Sequence, residues 1–220
     1  MKPLNQIEAI LFDLDGTLVD TAADFIYILN HLRKKYGFSP LDPQIIRDTV
    51  SNGARALTEL AFGADFEDKR LELLELYADC AGDQAQLFDG MEKVLQHFES
   101  LNIPWGIVTN KPRRFTEILL DKLTLSSRSA LTLCPDDVTK SKPDPEPLFL
   151  ACERLQCEPT NTIYVGDHER DIIAGKAANM KTVAARFGYI LDKTSISSWQ
   201  ADFEIDHPYE LISLINTSKQ

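Results

Sequence analysis

The sequence predicts an α/β fold in which a doubly wound parallel sheet is interrupted by an inserted, all-helical cap. Three observations support this prediction. Apolar, β-branched runs alternate with helical patterns over residues 84–220, the segment 19–83 carries helical patterns alone, and polar side chains suited to chemistry follow the apolar runs where strands would end. We therefore expect a core domain formed by 1–18 and 84–220, and a helical cap domain formed by 19–83.

The first element is the apolar run 7–12, which predicts a buried strand. Apolar residues at helical spacing then predict four successive helices, at 21–36, 42–50, 54–62 and 66–80. Gly37 suits the C-terminal end of the first helix, and Asp42-Pro43 suits the start of the second. We expect no strand between Thr17 and Asp83, which is typical of an insertion into an α/β domain.

Alternation of strands and helices resumes after the helical block. The predicted helices lie at 90–101, from Pro112 onward, after Pro145 and at 169–178, and the predicted strands lie at 104–109, 130–133, 162–165 and 182–185. This order predicts a parallel sheet with right-handed crossovers. The polar stretch 189–206 is expected to hold one edge strand, at 202–205.

Composition limits the kinds of partner. The 220 residues include 34 Asp and Glu against 23 Lys and Arg, a net charge of -11, which argues against a nucleic acid or an anionic membrane surface as partner. The chain shows neither a signal-peptide pattern nor an apolar run of transmembrane length, so we expect a cytoplasmic protein. We expect it to be a monomer or a homodimer. The four cysteines form no C-x-x-C pair and are expected to be free thiols.

Two carboxylates, Asp13 and Asp15, follow the first predicted strand, and Gly16 allows a sharp turn just after them. Residues two apart on a strand point the same way, so these like charges repel each other unless a cation or a shared proton intervenes. A divalent metal with oxygen ligands would remove the repulsion and leave one carboxylate as a nucleophile. The alternative is a solvated turn with incidental acidic residues.

Two further polar stretches follow later strands. Thr109-Asn110 offers a hydroxyl and main-chain donors ahead of a helix, which suits an anion, although a simple helix cap explains it equally well. Lys142 lies in a Lys-Pro-Asp-Pro segment. The prolines restrict that loop, so the lysine is expected to supply a fixed positive charge.

A second acidic cluster follows the strand predicted at 162–165 and begins at Gly166. Asp167 is its better metal ligand, because Asp171 is placed to cap the next helix or to hold Lys142. His168 has no other histidine at a metal-binding spacing, so we expect it at the edge of a pocket and not on a metal.

Together, these stretches resemble the haloacid dehalogenase-like (HAD) phosphohydrolase superfamily. Its four motifs match Asp13-x-Asp15-Gly16-Thr17, Thr109-Asn110, Lys142-Pro143 and Gly166-Asp167-x-x-x-Asp171. More closely, the chain resembles the phosphoglycolate phosphatase group. The short stretches 51–56, 168–172, 188–190 and 199–202 are most similar to its N-acetylmuramic acid 6-phosphate phosphatase branch.

The resemblance implies a Rossmann-like core and a Mg²⁺-dependent phosphatase acting on a small phosphate ester. In that family Asp13 would be the nucleophile, and Asp15 would protonate the leaving alkoxide, which requires a raised pKa. Mg²⁺ would be held by Asp13, Asp167 and the backbone carbonyl of Asp15. Thr109 and Lys142 would act in catalysis on the phosphoryl group, with Thr17 and Asn110 binding substrate and Gly166 and Asp171 in support.

The cap is expected to choose the substrate. Arg55 is the first candidate, because its guanidinium suits a carboxylate such as those of glycolate and lactyl-ether compounds, although it is equally explained as a solvated helix residue. The weaker candidates, expected on the surface, are Arg47, Lys111, Arg113 and Arg114. The competing functions are a phosphosugar mutase, which uses the same two aspartates, and a non-catalytic binding module. A dehalogenase is disfavoured because a released halide needs no protonation by Asp15.

Overall fold

The computed structural model describes residues 7–63, 67–190 and 195–216. Its strands are β1 (Ala9–Phe12), β2 (Val19–Asp20), β3 (Gln86–Leu87), β4 (Trp105–Val108), β5 (Thr132–Leu133), β6 (Thr162–Gly166), β7 (Lys181–Ala185) and β8 (Phe203–Ile205). Within the described ranges, six of them form one sheet in the order β5-β4-β1-β6-β7-β8, and each neighbouring pair is parallel. The predicted α/β fold class is confirmed, and β8 is the expected edge strand.

The helices are α1 (Ala22–Lys35), α2 (Pro43–Thr49), α3 (Gly53–Phe62), α4 (Glu67–Cys80), α5 (Met91–Ser100), α6 (Arg113–Lys122), α7 (Glu146–Leu155), α8 (Glu169–Ala177) and α9 (Glu210–Asn216). All but α9 were predicted. The Asp42 side chain caps α2 by accepting a hydrogen bond from the Gln44 backbone N–H at 2.7 Å. The predicted start of the fourth helix, at Phe66, lies outside the described residues.

The sheet is covered on both faces because side chains alternate along its strands. Ile10 and Phe12 of β1 pack with residues of α5, α6 and α9. Leu11 points to the other face and packs with residues of α7 and α8. The sheet is therefore doubly wound, and β1 is buried along its whole length.

Helices α1 to α4 pack around an apolar cluster of their own, which Phe115 and Tyr189 join from the α/β part of the chain. At the base of this helical block, β2 pairs antiparallel with β3, so the expectation of no strand between Thr17 and Asp83 is wrong. A two-residue strand is too short to show periodicity, and its partner comes later in the sequence. The domain limits of 19–83 for the cap stay a prediction.

The strand order reverses at β1. From there the sheet extends through β4 and β5 on one side and through β6, β7 and β8 on the other. Ligands of open α/β sheets bind in the crevice beyond the carboxyl ends of the strands at such a point. Asp13, Thr109 and Asp167 each follow the last residue of a strand that borders this crevice.

Two smaller expectations concern membranes and thiols. Among the described residues, no helix combines the length and the apolar character needed to cross a membrane. The four cysteines are free, as expected, with Cys134 and Cys152 buried.

Candidate active site

The turn after β1 brings two acidic residues together. The Asp13 N–H donates to the Val165 carbonyl oxygen at 2.9 Å, which fixes Asp13 beside β6. Gly16 has a φ of +84°, and a Cβ there would lie 2.1 Å from Oδ2 of Asp167. Only glycine combines this backbone conformation with so close an approach. The turn therefore places Asp13 and Asp167 in one site.

Lys142 provides the fixed positive charge expected of it. Its side chain is almost fully buried, and Nζ lies 2.9 Å from Oδ1 of Asp13 and 2.8 Å from Oδ1 of Asp171. Nζ also donates to the Tyr164 hydroxyl at 2.6 Å. Burial by itself lowers the pKa of a lysine, but the charges of Asp13 and Asp171 outweigh it and raise the pKa of Lys142. An ammonium group is thus held beside Asp13.

Three carboxylates crowd around this lysine. Asp13, Asp167 and Asp171 each offer an oxygen, and these atoms lie within 4.8 Å of one another. Burial, reinforced by the charges of Asp13 and Asp171, raises the pKa of Asp167 to about 8. Burial also raises the pKa of Asp13 to about 6, against the opposing effect of Lys142. A bound cation would favour the ionised forms of the Asp13 and Asp167 carboxyl groups. Because the candidate ligand atoms are all oxygens, they suit Mg²⁺ better than zinc.

Asp171 is engaged on both carboxylate oxygens. Oδ1 bonds Lys142, and Oδ2 accepts from the His168 backbone N–H at 3.1 Å, which caps α8. Both contacts expected of Asp171 are present. Gly166 leaves room for this side chain, because a Cβ at residue 166 would lie 2.3 Å from Cβ of Asp171. Asp13 and Asp167 are therefore the better candidate metal ligands.

The Asp15 side chain is held by two residues outside this cluster. Its Oδ1 accepts from Nζ of Lys111 at 2.9 Å and from the Thr21 hydroxyl at 2.6 Å. Lys111 is only 8% exposed, so its expected place on the surface is wrong. Its ammonium lies 4.6 Å from the centre of the Tyr77 ring of α4, a cation–π contact between core and helical block. Burial lowers the pKa of Lys111, but the charge of Asp15 more than offsets this and raises it.

Three further residues were predicted to belong to the site. They are Thr109, Asn110 and Thr17, and the first two line the cavity whereas the third is buried. The Thr109 hydroxyl accepts from the Lys111 N–H at 3.1 Å, and Asn110 donates from Nδ2 to the Lys142 carbonyl at 2.9 Å. Both residues line the cavity. Thr17 is fully buried, and its hydroxyl donates to Oδ1 of Asp167 at 3.4 Å. The Thr17 hydroxyl therefore contacts a candidate metal ligand, whereas Thr17 was expected to bind substrate.

A cavity of about 140 Å³ lies between the α/β core and the helical block. The core contributes side chains that carry charge or hydrogen-bonding groups: Asp13, Asp15, Thr109, Asn110, Lys111, Lys142, His168 and Arg170. The helical block contributes mainly apolar walls: Phe25, Val50, Ser51, Gly53, Ala54, Leu74 and Tyr77. His168 lies at the pocket, as expected.

Arg55 is not brought into the cavity. Its side chain is exposed on α3, and Gly53 and Ala54 line the cavity in its place. The helical block reaches the carboxylates through Ser51, whose hydroxyl donates to Oδ2 of Asp167 at 3.0 Å. Ser51 lies in the turn Val50–Asn52 between α2 and α3.

Tyr189 joins the acidic cluster to the start of the helical block. Its backbone N–H donates to Oδ2 of Asp167 at 2.8 Å. Its hydroxyl accepts from the N–H groups of Thr21 and Ala22, at 2.6 and 2.9 Å, and donates to Asp20 at 2.8 Å. Arg47 of α2, expected on the surface, is half-buried and forms a bidentate pair with Asp20 at 3.0 and 2.8 Å.

Sequence reasoning gave no place in this site to Ser51, Arg170 or Tyr189, and it placed Lys111 on the surface. Lys111 had a usable signal, because it follows Thr109-Asn110 directly at the end of a buried strand. Arg170 also had one, because it lies between Asp167 and Asp171 in the acidic cluster after β6. Ser51 and Tyr189 reach the site through the packing of separate parts of the chain, which no local pattern reports.

Residues 10–185 match a family model described as haloacid dehalogenase-like hydrolase. The chain belongs to that family. A Pseudomonas putida (strain KT2440) protein named N-acetylmuramic acid 6-phosphate phosphatase is 46% identical over 219 residues, covering 97% of this chain and 98% of its own. A Xanthomonas campestris pv. campestris (strain 8004) protein named phosphoglycolate phosphatase is 41% identical over 207 residues, covering 92% of this chain and 94% of its own.

Among solved structures, a predicted phosphoglycolate phosphatase from Haemophilus somnus 129PT superposes with a TM-score of 0.84. The match covers 96% of this chain and 99% of that one at 21% identity, so it shows a shared fold. These comparisons confirm the predicted family, the Rossmann-like HAD fold and the enzyme class, a HAD-like phosphatase.

The buried pair of Lys111 and Asp15 is expected to be energetically coupled. Lys111→Met should destabilise the fold, because it leaves the Asp15 carboxylate without its cation in a mostly buried place. In a double-mutant cycle with Asp15→Asn, urea unfolding should give a coupling energy of about 1–3 kcal/mol. The exposed pair of Lys122 and Asp83, 2.5 Å apart, is the matched control and should couple by less than about 1 kcal/mol. Equal coupling in the two pairs would contradict the assignment of a buried pair.

Proposed function

We propose that the protein is a Mg²⁺-dependent phosphatase that hydrolyses a small phosphomonoester through an aspartyl phosphate on Asp13. One observation carries this proposal. The Asp13 carboxylate stands at the reversal of strand order, 2.9 Å from the Lys142 ammonium and within a cluster of carboxylates able to hold a metal. A nucleophile, a phosphoryl-binding cation and a metal site are thus supported by one group of residues.

A metal is supported by the balance of charge. Among the described residues at the centre of the site, Asp13, Asp15, Asp167 and Asp171 face only two lysines, Lys111 and Lys142, and both lysines are already paired with these carboxylates. A phosphate dianion would be repelled from such a site. Mg²⁺ held by Asp13 and Asp167, with the backbone carbonyl of Asp15 as a third predicted ligand, would supply the missing positive charge.

The residues around Asp13 suit an in-line displacement. Asp13 would attack phosphorus, while Lys142 and the Thr109 hydroxyl would hold the remaining phosphoryl oxygens. Asp15 would give a proton to the leaving alkoxide and later take one from the attacking water. Lys111 and Thr21, which bond the same oxygen of Asp15, would keep that carboxyl group aimed at the leaving group.

N-acetylmuramic acid 6-phosphate is the first candidate substrate, because the relative with that name is 46% identical over nearly the whole of both chains. The apolar walls of Phe25, Leu74 and Tyr77 suit a sugar ring and its acetyl methyl group. 2-Phosphoglycolate is the second candidate, favoured by the relative at 41% identity. The cytoplasmic location, the monomeric or homodimeric state and the lack of nucleic-acid or membrane partners stay predictions.

The wild-type protein should release inorganic phosphate from N-acetylmuramic acid 6-phosphate in the presence of Mg²⁺ and stop after EDTA treatment. Asp13→Asn should lower kcat by about three orders of magnitude or more, because an amide cannot attack phosphorus. A malachite-green assay measures the release, and the circular dichroism spectrum of the variant checks its fold. Near wild-type turnover by Asp13→Asn, or activity that survives EDTA, would refute the proposal. Isomerisation without phosphate release would indicate a mutase.

The effect of Mg²⁺ on the free energy of unfolding should reveal metal binding independently of catalytic activity. Because the pKa of Asp167 is raised to about 8 from 3.8, the metal-free folded state retains a proton that the unfolded chain loses, and its stability falls as the pH rises from about 4 to 8. Mg²⁺ competes with that proton, so its stabilising effect should be larger at pH 8 than at pH 6. At about 100 times its Kd the metal adds about 2.7 kcal/mol, or about 5–10 °C in Tm.

Differential scanning calorimetry in Mg²⁺ and in EDTA measures this difference at the two pH values. Asp167→Asn is the control, because it removes the ligand with the higher pKa and should reduce the pH dependence of the gain in Tm to the smaller contribution of Asp13. If the increase in Tm caused by Mg²⁺ is equal at both pH values, or larger at pH 6, metal binding at Asp167 is contradicted.

A further inference from the structure

The two substrates named for the relatives share a chemical feature. Both N-acetylmuramic acid 6-phosphate and 2-phosphoglycolate carry a carboxylate in addition to the phosphate. The phosphate would occupy Lys142, Thr109 and the metal site, so the carboxylate requires a different cation. Among the described residues that line the cavity, the cationic side chains are Lys111, Lys142 and Arg170.

Two of these cations are already paired. Lys142 bonds Asp13 and Asp171, and Lys111 lies 2.9 and 3.2 Å from the two oxygens of Asp15. Arg170 differs, because no carboxylate in the described part of the chain lies within ion-pair distance of it. It contacts the His168 ring instead, with Nε 3.2 Å from Nδ1 and Nη2 3.0 Å from Nε2.

The guanidinium of Arg170 is also held in place. Its imidazole partner, His168, stacks on the Trp199 ring with centroids 6.5 Å apart and lies 3.4 Å from Oδ1 of Asn52. Arg170 itself belongs to the first turn of α8, three residues after Asp167. The side chain is therefore anchored on one edge by an aromatic ring at the rim of the cavity, and Nη1 has no partner among the described residues.

We propose that Arg170 is a specificity-determining residue that binds the substrate carboxylate, and that the substrates are phosphomonoesters bearing a carboxylate. This inference rests on the proposed phosphatase function and deepens it. A planar guanidinium can bond both oxygens of a carboxylate, and its charge favours an acidic ligand even in a chain with a net charge of -11. Arg170 thereby takes the role that the sequence suggested for Arg55, which does not line the cavity.

Steady-state kinetics of the full chain with Mg²⁺ on three phosphate esters provide the test. N-acetylmuramic acid 6-phosphate carries the lactyl carboxylate, N-acetylglucosamine 6-phosphate is the same sugar phosphate without it, and p-nitrophenyl phosphate reports the chemical step alone. Arg170→Gln should lower kcat/KM on the first substrate roughly 10- to 150-fold, and on the other two less than about 3-fold. Arg170→Lys should recover part of the loss, because it keeps the charge without the bidentate geometry.

Arg154→Gln is the matched control, because it removes the same charge from an exposed side chain of α7 outside the cavity. It should leave all three rates unchanged. Equal losses on both sugar phosphates after Arg170→Gln, or no loss on either, would overturn the inference, as would a wild-type enzyme that uses the two sugars equally well. Hydrolysis of p-nitrophenyl phosphate by the wild type separates the two claims. If the wild type hydrolyses it but Arg170→Gln affects the two sugar phosphates equally or not at all, the carboxylate contact alone is overturned. If no ester releases phosphate, the proposed function and this inference are overturned together.

Discussion

Mutual repulsion among buried carboxylates is the constraint on which this site depends. Asp13, Asp167 and Asp171 lie within 4.8 Å of one another, and burial denies them the solvent that would stabilise their charges. Burial, together with the charges of Asp13 and Asp171, raises the pKa of Asp167, whereas Lys142 opposes the rise in the pKa of Asp13. A fold optimised only for stability would not keep such a cluster, so in the absence of a cation the site lowers the stability of the fold.

Local pattern was sufficient for most of the fold. The core strands are continuous apolar runs, and α1 to α8 show helical spacing or a recognisable cap such as Asp42. The two missed strands have a common physical cause. β2 and β3 have two residues each and exist because they pair with each other across the helical block. Helix α9 packs against α5, which lies more than a hundred residues earlier in the sequence. Its start carries a signal in Pro208 and Glu210, since Glu210 accepts from the His207 backbone N–H, but no helix was predicted there.

The same division holds for the site. Residues at the ends of strands could be predicted, because parallel topology alone brings Asp13, Thr109 and Asp167 to one edge of the sheet. Lys111 was misjudged because its burial depends on Asp15 and on the Tyr77 ring, one near each end of the helical block. Arg55 was favoured because its guanidinium suits a carboxylate, but the direction of a helix face is set by packing, and the Arg55 side chain is exposed on α3.

The central position of β1 has a consequence for the way the protein is made. Thr17, in the turn after β1, is 150 residues from the Asp167 to which it donates, and Ser51 is 116 residues from the same carboxylate. Contacts of such sequence separation carry a higher loop-closure cost than the contacts among helices α1 to α4, which are closer in sequence. During synthesis the carboxylates of Asp13 and Asp167 therefore cannot meet until β6 has left the ribosome. Before that point, the helical block is the part of the chain that can gain structure, because the contacts among its helices lie within the segment already synthesised.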